Sequence, residues 1–312
     1  MNLSLRPRNL WSAAALLFVL SPLSGGALEP AKTDELRDRP EPSSPDSPAH
    51  DYYSRLAKFS GEPSAPILPI DSLRYPAPAP LVRGILAYKP IYLTVSVEAF
   101  DMGPPAANSS PRTRAELDYL LRLQEQRTLM EMASNLDFQN WGYVVSAKTT
   151  DRDFAELRGN FFRVGRSIGT WFNAEKLPKT ADLVARTWQD ARYYMWSLKD
   201  QYARARPYQL EPKIKNLQDT TWPAYPSGHA SYAYMLAYLY SAISPAHTSV
   251  FMSDAYMIAH SREIIGVHFP SDSEAGRIFA RKFIDLLLQN DVYAQELKAV
   301  QAEWEDAARA YP

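Results

Sequence analysis

Residues 180–207 read TADLVARTWQDARYYMWSLKDQYARARP, and the fold turns on taking this stretch as one long helix over Thr180–Arg204 that Pro207 brings to an end. Proline lacks the N–H that continues a helix, and its ring clashes with the turn before it. Lys199 and Arg206 are seven residues apart. That is about two helical turns, which predicts both cations on one face. The plainer reading of the stretch is a basic face turned to solvent, and Arg204 is assigned to that face. The helical pattern starts near residue 112 and continues to the end. Helices are expected over Thr113–Asn135, where Leu117, Leu120, Leu121 and Gln124 fall at turn spacing behind Ser110-Pro111, and over Thr150–Asn173. Four more follow over Ser227–Ser241, Pro245–Ile265, Ser271–Gln289 and Val292–Ala310. Breaks at Pro178, Pro207, Pro223, Pro226, Pro245 and Pro270 separate them. Seven helices with short joints predict an all-α domain without a parallel sheet.

The chain before this region is different in kind. Residues 29–80 hold 11 of the 25 prolines, which favour extended, polyproline-like backbone. The expected organisation is a signal peptide at 1–27, a Pro-rich flexible or wrapping segment at 28–90 and a helical domain at 91–312. Within it Ile91–Val97 has strand-like composition but no evident partner strand. Arg6 and Arg8 precede the apolar run Leu10–Leu20, and Ser21–Ala27 ends in small residues, the pattern of a secretory signal cleaved after Ala27. As a helix the apolar run reaches about 17 Å, against about 30 Å of bilayer hydrocarbon. A periplasmic or secreted protein follows, with no stable membrane insertion after processing.

Composition narrows the chemistry. Of 312 residues, 46% are hydrophobic and 22% charged, an ordinary globular mixture with material for a large core. The absence of cysteine excludes disulfides, thiolate zinc sites and cysteine nucleophiles. A net charge of −1 supplies no bulk field for a nucleic acid polymer or an anionic membrane, so anion binding has to be local.

Two further clusters supply such a locality. In Pro226-Ser227-Gly228-His229, Ser227 is a natural helix N-cap and Gly228 lets backbone N–H groups approach an oxyanion. The helix dipole favours negative charge there, and His229 sits where it could give a proton to a bound group. In Ser261-Arg262 to His268-Phe269-Pro270-Ser271-Asp272, Arg262 offers a forked donor suited to phosphate oxygens. Asp272, one helical turn beyond His268, can hold one ring nitrogen and leave the other as a nucleophile. Alone, each cluster also reads as an ordinary helix cap. His50, His247 and His260 lack such settings. Neither HExxH nor paired HxH spacing occurs, and three cations, one hydroxyl, backbone donors and two histidines suit a phosphate rather than Zn²⁺. No metal and no cofactor are expected.

Taken together, the three clusters resemble the signature of the type 2 phosphatidic acid phosphatase (PAP2) superfamily, KxxxxxxRP, PSGH and SRxxxxxHxxxD. Lys199, Arg206 and Pro207, then Pro226 to His229, then Ser261, Arg262, His268 and Asp272 meet every fixed position. The segment around Gly103-Pro104-Pro105, the run Arg114–Gln126 and the tail Glu296–Ala307 are similar to the bacterial class A non-specific acid phosphatases. The Pro-rich stretch before residue 90 departs from their pattern. The resemblance implies a helical bundle of the PAP2/vanadium haloperoxidase type and hydrolysis of small phosphomonoesters at acidic pH. It also implies roles. His268 forms a phosphohistidine, Asp272 orients it and His229 protonates the leaving alcohol, while Lys199, Arg206, Ser227, Gly228 and Arg262 hold the phosphate oxygens. The rivals are a vanadate-dependent haloperoxidase, a soluble lipid-headgroup phosphatase and a non-catalytic phosphate-binding protein. The preferred ester and the oligomeric state, a homo-oligomer included, are left open.

Overall fold

The computed structural model describes residues 68–141 and 158–311. The expected signal peptide, the first part of the Pro-rich segment and His50 lie outside the described residues, as does the first part of the helix expected over Thr150–Asn173.

Nine α-helical segments make up the described chain, and no strand occurs among the described residues. They are α1 (Ala79–Leu86), α2 (Pro111–Gln126), α3 (Leu129–Trp141), α4 (Pro178–Tyr202), the single turn α5 (Pro207–Leu210), α6 (Gly228–Ile243), α7 (Thr248–Ile264), α8 (Pro270–Leu287) and α9 (Asp291–Ala310). Local chemistry sets most of the starts. Ser110 Oγ accepts from Thr113 N at 3.1 Å, Ser227 Oγ from Ala230 N at 3.4 Å and Asn290 Oδ1 from Tyr293 N at 3.0 Å. Each cap satisfies a backbone donor that the helix leaves open. Proline stands at the first position of α2, α4, α5 and α8, where its missing N–H costs nothing.

Helix α6 is the central element. Every residue from Ala230 to Ile243 is buried, tyrosines included. A helix apolar all round must be enclosed on all sides. Helices α7 and α8 flank it along its length, and α4 and α9 close the opposite side. At the far end, Trp171, Phe172, Tyr240, Phe251 and Trp304 meet edge to face, with Phe172 and Trp304 centroids 5.0 Å apart. Trp304 Nε1 donates to Thr180 Oγ1 at 2.9 Å, joining α9 to the start of α4.

Three expectations need correction. The helix expected over Thr113–Asn135 is two helices. Arg127 turns to an extended ψ of 133°, and Thr128 and Glu131 then form a reciprocal cap, Thr128 N to Glu131 Oε2 at 2.7 Å and Glu131 N to Thr128 Oγ1 at 3.2 Å. The part of Thr150–Asn173 that is described is a 3₁₀ turn at Arg158–Phe162 followed by irregular turns. Gly165 has a φ of +91° and gives its N–H to Asp254 Oδ2 at 2.8 Å. A Cβ there would sit 2.5 Å from Phe251 Cε1, so chain and core meet too closely for a helix. Finally, Ile91–Val97 pairs with helix side chains and not with a strand. Asp190 of α4 accepts from the N–H groups of Ile91, Tyr92 and Leu93 at 2.5, 2.8 and 3.0 Å. Tyr194 Oη donates to the carbonyls of Leu93 and Val95.

The contact that matters most for the site lies where α8 crosses the start of α6. A Cβ on Gly276 would stand 2.8 Å from Ala230 Cβ and 2.9 Å from both Ser227 O and Ser231 N. Backbone cannot yield as a side-chain tip can, so α8 would have to retreat. Overpacking of this kind costs about 1–3 kcal/mol. Gly276→Ala is therefore expected to lower the urea midpoint by an amount equivalent to about 2 kcal/mol and to reduce activity with it. A variant as stable and as active as the wild type would show that this approach is not required.

Candidate active site

The backbone leaves its helical path just before the site. α4 ends at Tyr202, and Ala203 takes a left-handed φ of 44°. Its carbonyl accepts from Tyr75 N at 2.7 Å, which fixes the turn from outside. Arg206 follows in extended conformation, φ −80° and ψ 155°. Lys199 and Arg206 therefore do not share a helical face, as their spacing predicted. The chain reversal at Ala203 is what brings them to one place.

Carbonyl groups hold both cations. Lys199 Nζ donates to Pro223 O at 2.8 Å and approaches Ala224 O at 3.5 Å. Arg206 donates to the carbonyls of Trp222 at 2.9 Å, Pro223 at 3.0 Å and Val267 at 2.7 Å. The Pro223 carbonyl serves both residues. Arg262, at the end of α7, donates one amino group to Gln218 Oε1, while its Nε and Nη1 are buried and find no partner among the described residues. Burial disfavours charge on all three, and Arg206 repels the other two. Lys199 is held well below its ordinary range, Arg206 at about 10 and Arg262 at about 9.

The two histidines hold opposite tautomers. His268 Nδ1 lies 3.1 Å from Asp272 Oδ2, and its Nε2 lies 2.9 Å from Arg206 Nη1. A guanidinium can only donate, so Nε2 carries the lone pair and Nδ1 the proton. His229 Nε2 lies 3.1 Å from the Gln139 carbonyl, near the end of α3. A carbonyl can only accept, so this Nε2 carries the proton. Burial, and then neighbouring arginines, hold both imidazoles well below 6.5.

Ser227 and Gly228 open α6. The Ser227 hydroxyl is the helix cap and its N–H donates to Asp272 O at 2.9 Å, so it ties α6 to α8. The N–H groups of Gly228 and His229 belong to the first turn, where no intrahelical acceptor exists. A Cβ on Gly228 would meet only ordinary contacts, 3.8 Å to Met195 Cε and 3.9 Å to Lys199 Cε. Packing within the protein does not require glycine here.

Arg204 is the main correction. It does not face solvent. Its Nη1 donates to Asp272 Oδ1 at 2.6 Å and to Ser271 Oγ at 2.9 Å, and its Nη2 lies 3.4 Å from Glu116 Oε2 on α2. Residues 203–206 carry no helix, and in extended chain residues two apart point the same way. That alternation was the available sign that Arg204 accompanies Arg206 inward. Glu116, Gln218 and Gln139 gave no sequence signal, since each reaches the site from an element remote in the chain. Asp272 answers to both sides. Burial raises its carboxyl, but Arg204 and His268 outweigh that and keep it ionised.

Four buried cations, Lys199, Arg204, Arg206 and Arg262, thus face two buried carboxylates, Glu116 and Asp272. The basic side chains outnumber the carboxyl groups by two, while burial disfavours charge on Lys199 and on Glu116. Such a cluster suits an anion, with the His268 lone pair against Arg206 and the His229 N–H held by the Gln139 carbonyl. Among the described residues no cluster of three or more His, Asp or Glu is placed to hold a metal ion.

The clustered basic side chains and two histidines are carried by an all-α bundle. Residues 191–294, which contain Lys199 through Asp272, match the family described as the PAP2 superfamily. It is 27% identical over 146 residues to the non-specific acid phosphatase of Salmonella typhi, covering 45% of this chain and 58% of that one. It is 29% identical over 113 residues to that of Providencia stuartii, covering 35% and 46%. The chain spans about half the length of the curated relatives it matches. Among solved structures, a bacterial vanadium-dependent iodoperoxidase superposes with a TM-score of 0.49 at 19% identity, over 74% of this chain and 62% of that one. A transmembrane PAP2 type phosphatidylglycerolphosphate phosphatase from Bacillus subtilis gives 0.38 at 17%, over 57% and 86%. No helix among the described residues is long and apolar enough to cross a membrane.

The histidines dictate a pH dependence. Both have folded values below the ordinary 6.5, so below 6.5 the unfolded chain binds more protons than the folded one. Stability from these groups is full above 6.5 and falls as the pH drops. An anion in the pocket offsets the positive excess and lets the histidines protonate in place. Inorganic phosphate is expected to raise the melting temperature more at pH 5 than at pH 8. A larger gain at pH 8 would contradict this arrangement.

Proposed function

We propose that the protein is an exported, metal-independent acid phosphatase that hydrolyses small phosphate monoesters through a phosphohistidine on His268. The observation that carries the reading is the His268 lone pair at Nε2, backed by Asp272 and surrounded by cations with donors to spare. The superfamily match and the names of the curated relatives support it. The sequence pattern of residues 1–27 supports export.

The reaction follows from the donors. The ester's phosphoryl oxygens take up Arg262 Nε and Nη1, the Arg206 guanidinium, Lys199 and the Gly228 amide. Arg206 thereby releases His268 Nε2. Nε2 attacks phosphorus, the P–N bond forms and the P–O bond to the alcohol breaks opposite. The bound anion has raised His229 enough to protonate it, and His229 gives that proton to the departing oxygen. Asp272 stabilises the positive imidazole. His229, now neutral, takes a proton from water. The hydroxide attacks phosphorus, the P–N bond breaks and phosphate leaves with His268 restored. Positioning and charge do most of this work. The cradle reads the phosphate and not the alcohol, so a broad range of esters is expected.

Hydrolysis of aryl, sugar and nucleotide phosphates at pH 5–6 is expected to persist in EDTA and to vanish in His268→Ala. Arg262→Ala should lower kcat/KM about a hundredfold, the loss expected for one transition-state donor worth about 3 kcal/mol. Acid-labile, alkali-stable label should appear on wild-type protein quenched during turnover of a labelled ester. Full activity in His268→Ala, or no trapped label, would overturn the covalent step.

A further inference from the structure

Behind the His268–Asp272 pair lie a buried arginine, glutamate and serine that the hydrolysis scheme does not use. His268 Nδ1 meets Asp272 Oδ2 at 3.1 Å, and Asp272 Oδ1 meets Arg204 Nη1 at 2.6 Å. Arg204 Nη2 lies 3.4 Å from Glu116 Oε2, with side-chain exposures of 1% for Arg204 and 0% for Glu116 and Asp272. Ser271 closes the set. Its hydroxyl donates to Glu116 Oε2 at 2.9 Å and accepts from Arg204, and its N–H donates to Glu116 Oε1 at 2.7 Å. Arg204 also lies over the Phe269 ring, 4.0 Å from the centroid. The hydrogen bonds of its side chain all go to these groups, and its carbonyl accepts from Ala224 N at 3.0 Å.

Stability alone gives a poor reason for such a set. Replacing a buried ion pair by apolar side chains of similar volume is often neutral or stabilising. What the geometry does give is a divided carboxylate. The charge of Asp272 is shared between Arg204 and the imidazole, and Arg204 in turn is shared between Asp272 and Glu116. We infer that Arg204 and Glu116 are positioning residues that set the basicity of His268 through Asp272, Arg204 lowering it and Glu116 restoring part of it. This rests on His268 being the nucleophile of the proposed reaction.

The other charged groups around the pair are common to every variant below. Arg206 and Lys199 face His268, and Arg204, His268 and the Phe269 N–H face Asp272. Tyr225 lies near Asp272 and Arg204, while burial raises the Glu116 carboxyl against the pull of Arg204 and Ser271. The two substitutions should therefore move the histidine in opposite directions. In Glu116→Gln the arginine's charge falls wholly on Asp272, the hold on imidazolium weakens and His268 becomes less basic. In Arg204→Gln the full carboxylate charge reaches the imidazole and His268 becomes more basic.

The test has two arms. The acid limb of kcat/KM against pH, with p-nitrophenyl phosphate, should shift down by about one unit in Glu116→Gln and up by about one unit in Arg204→Gln. Arg204→Lys, which keeps the charge, should return the limb to within a few tenths of wild type. The second arm follows the His268 imidazole by NMR titration without substrate and should show the same opposite shifts. Loss of activity with an unmoved limb and titration, or shifts of one sign in both variants, would overturn the proposal. Should Arg204→Gln fail to fold, the downward shift in Glu116→Gln decides alone. If the wild type hydrolyses no ester, the phosphatase reading falls, and the imidazole titration still decides the inference.

Discussion

Everything in this structure answers to a surplus of buried positive charge. Four cations and two carboxylates share one dry region, and arginine cannot shed its proton to relieve it. Carbonyl oxygens at 222–224 and 267 supply partial negative charge, enough to seat Lys199 and Arg206 but not to neutralise them. Arg262 is left with two donors unspent. Buried donors without partners are costly, so a native site that retains them is shaped for something that supplies the acceptors. A tetrahedral oxyanion does so and brings the missing charge.

The bundle's task is to hold that surplus in place. α6 is enclosed on every side, which makes its first turn a fixed point against which the other elements register. Ser227 ties that turn to Asp272, and Gly276 lets α8 come close enough for the tie to form. Asp190 ties the extended segment at 91–93 to α4, whose end carries Lys199. The aromatic cluster around Trp304 secures the opposite end. Core packing and site geometry are therefore one problem, since a shift of α8 on α6 moves the partner of His268.

Sequence gave most of the local features. Proline starts, the Ser110 and Ser227 helix starts, and the one-turn spacing of His268 and Asp272 are all short-range signals that act through the backbone nearby. What stayed hidden needed knowledge of where the backbone turns, or of partners far along the chain. The reversal at Ala203 upset the helical phase assumed for Lys199 and Arg206, and with it the assignment of Arg204. Glu116 is 155 residues from the Ser271 it binds, and no periodicity connects them. Thr128 to Glu131 did carry a capping signature. The apolar spacing on either side continues through it and masks the break.

The tautomers make the last connection. In the free protein Arg206 occupies the lone pair of His268, and His229 points its proton at a carbonyl of α3. In the reaction proposed above, both histidines exchange these partners. An incoming phosphate competes for Arg206 with better acceptors than an imidazole, because its oxygens are charged and can be gripped in pairs. On the proposed reaction, the arginine that shields the nucleophile is then the one that holds the substrate, and a single exchange of partners does both. The same negative charge makes protonation of His229 favourable where burial and cations had opposed it. On that reading, substrate binding prepares the acid and uncovers the nucleophile. A ligand of similar shape but lower charge would sit in the pocket and do neither.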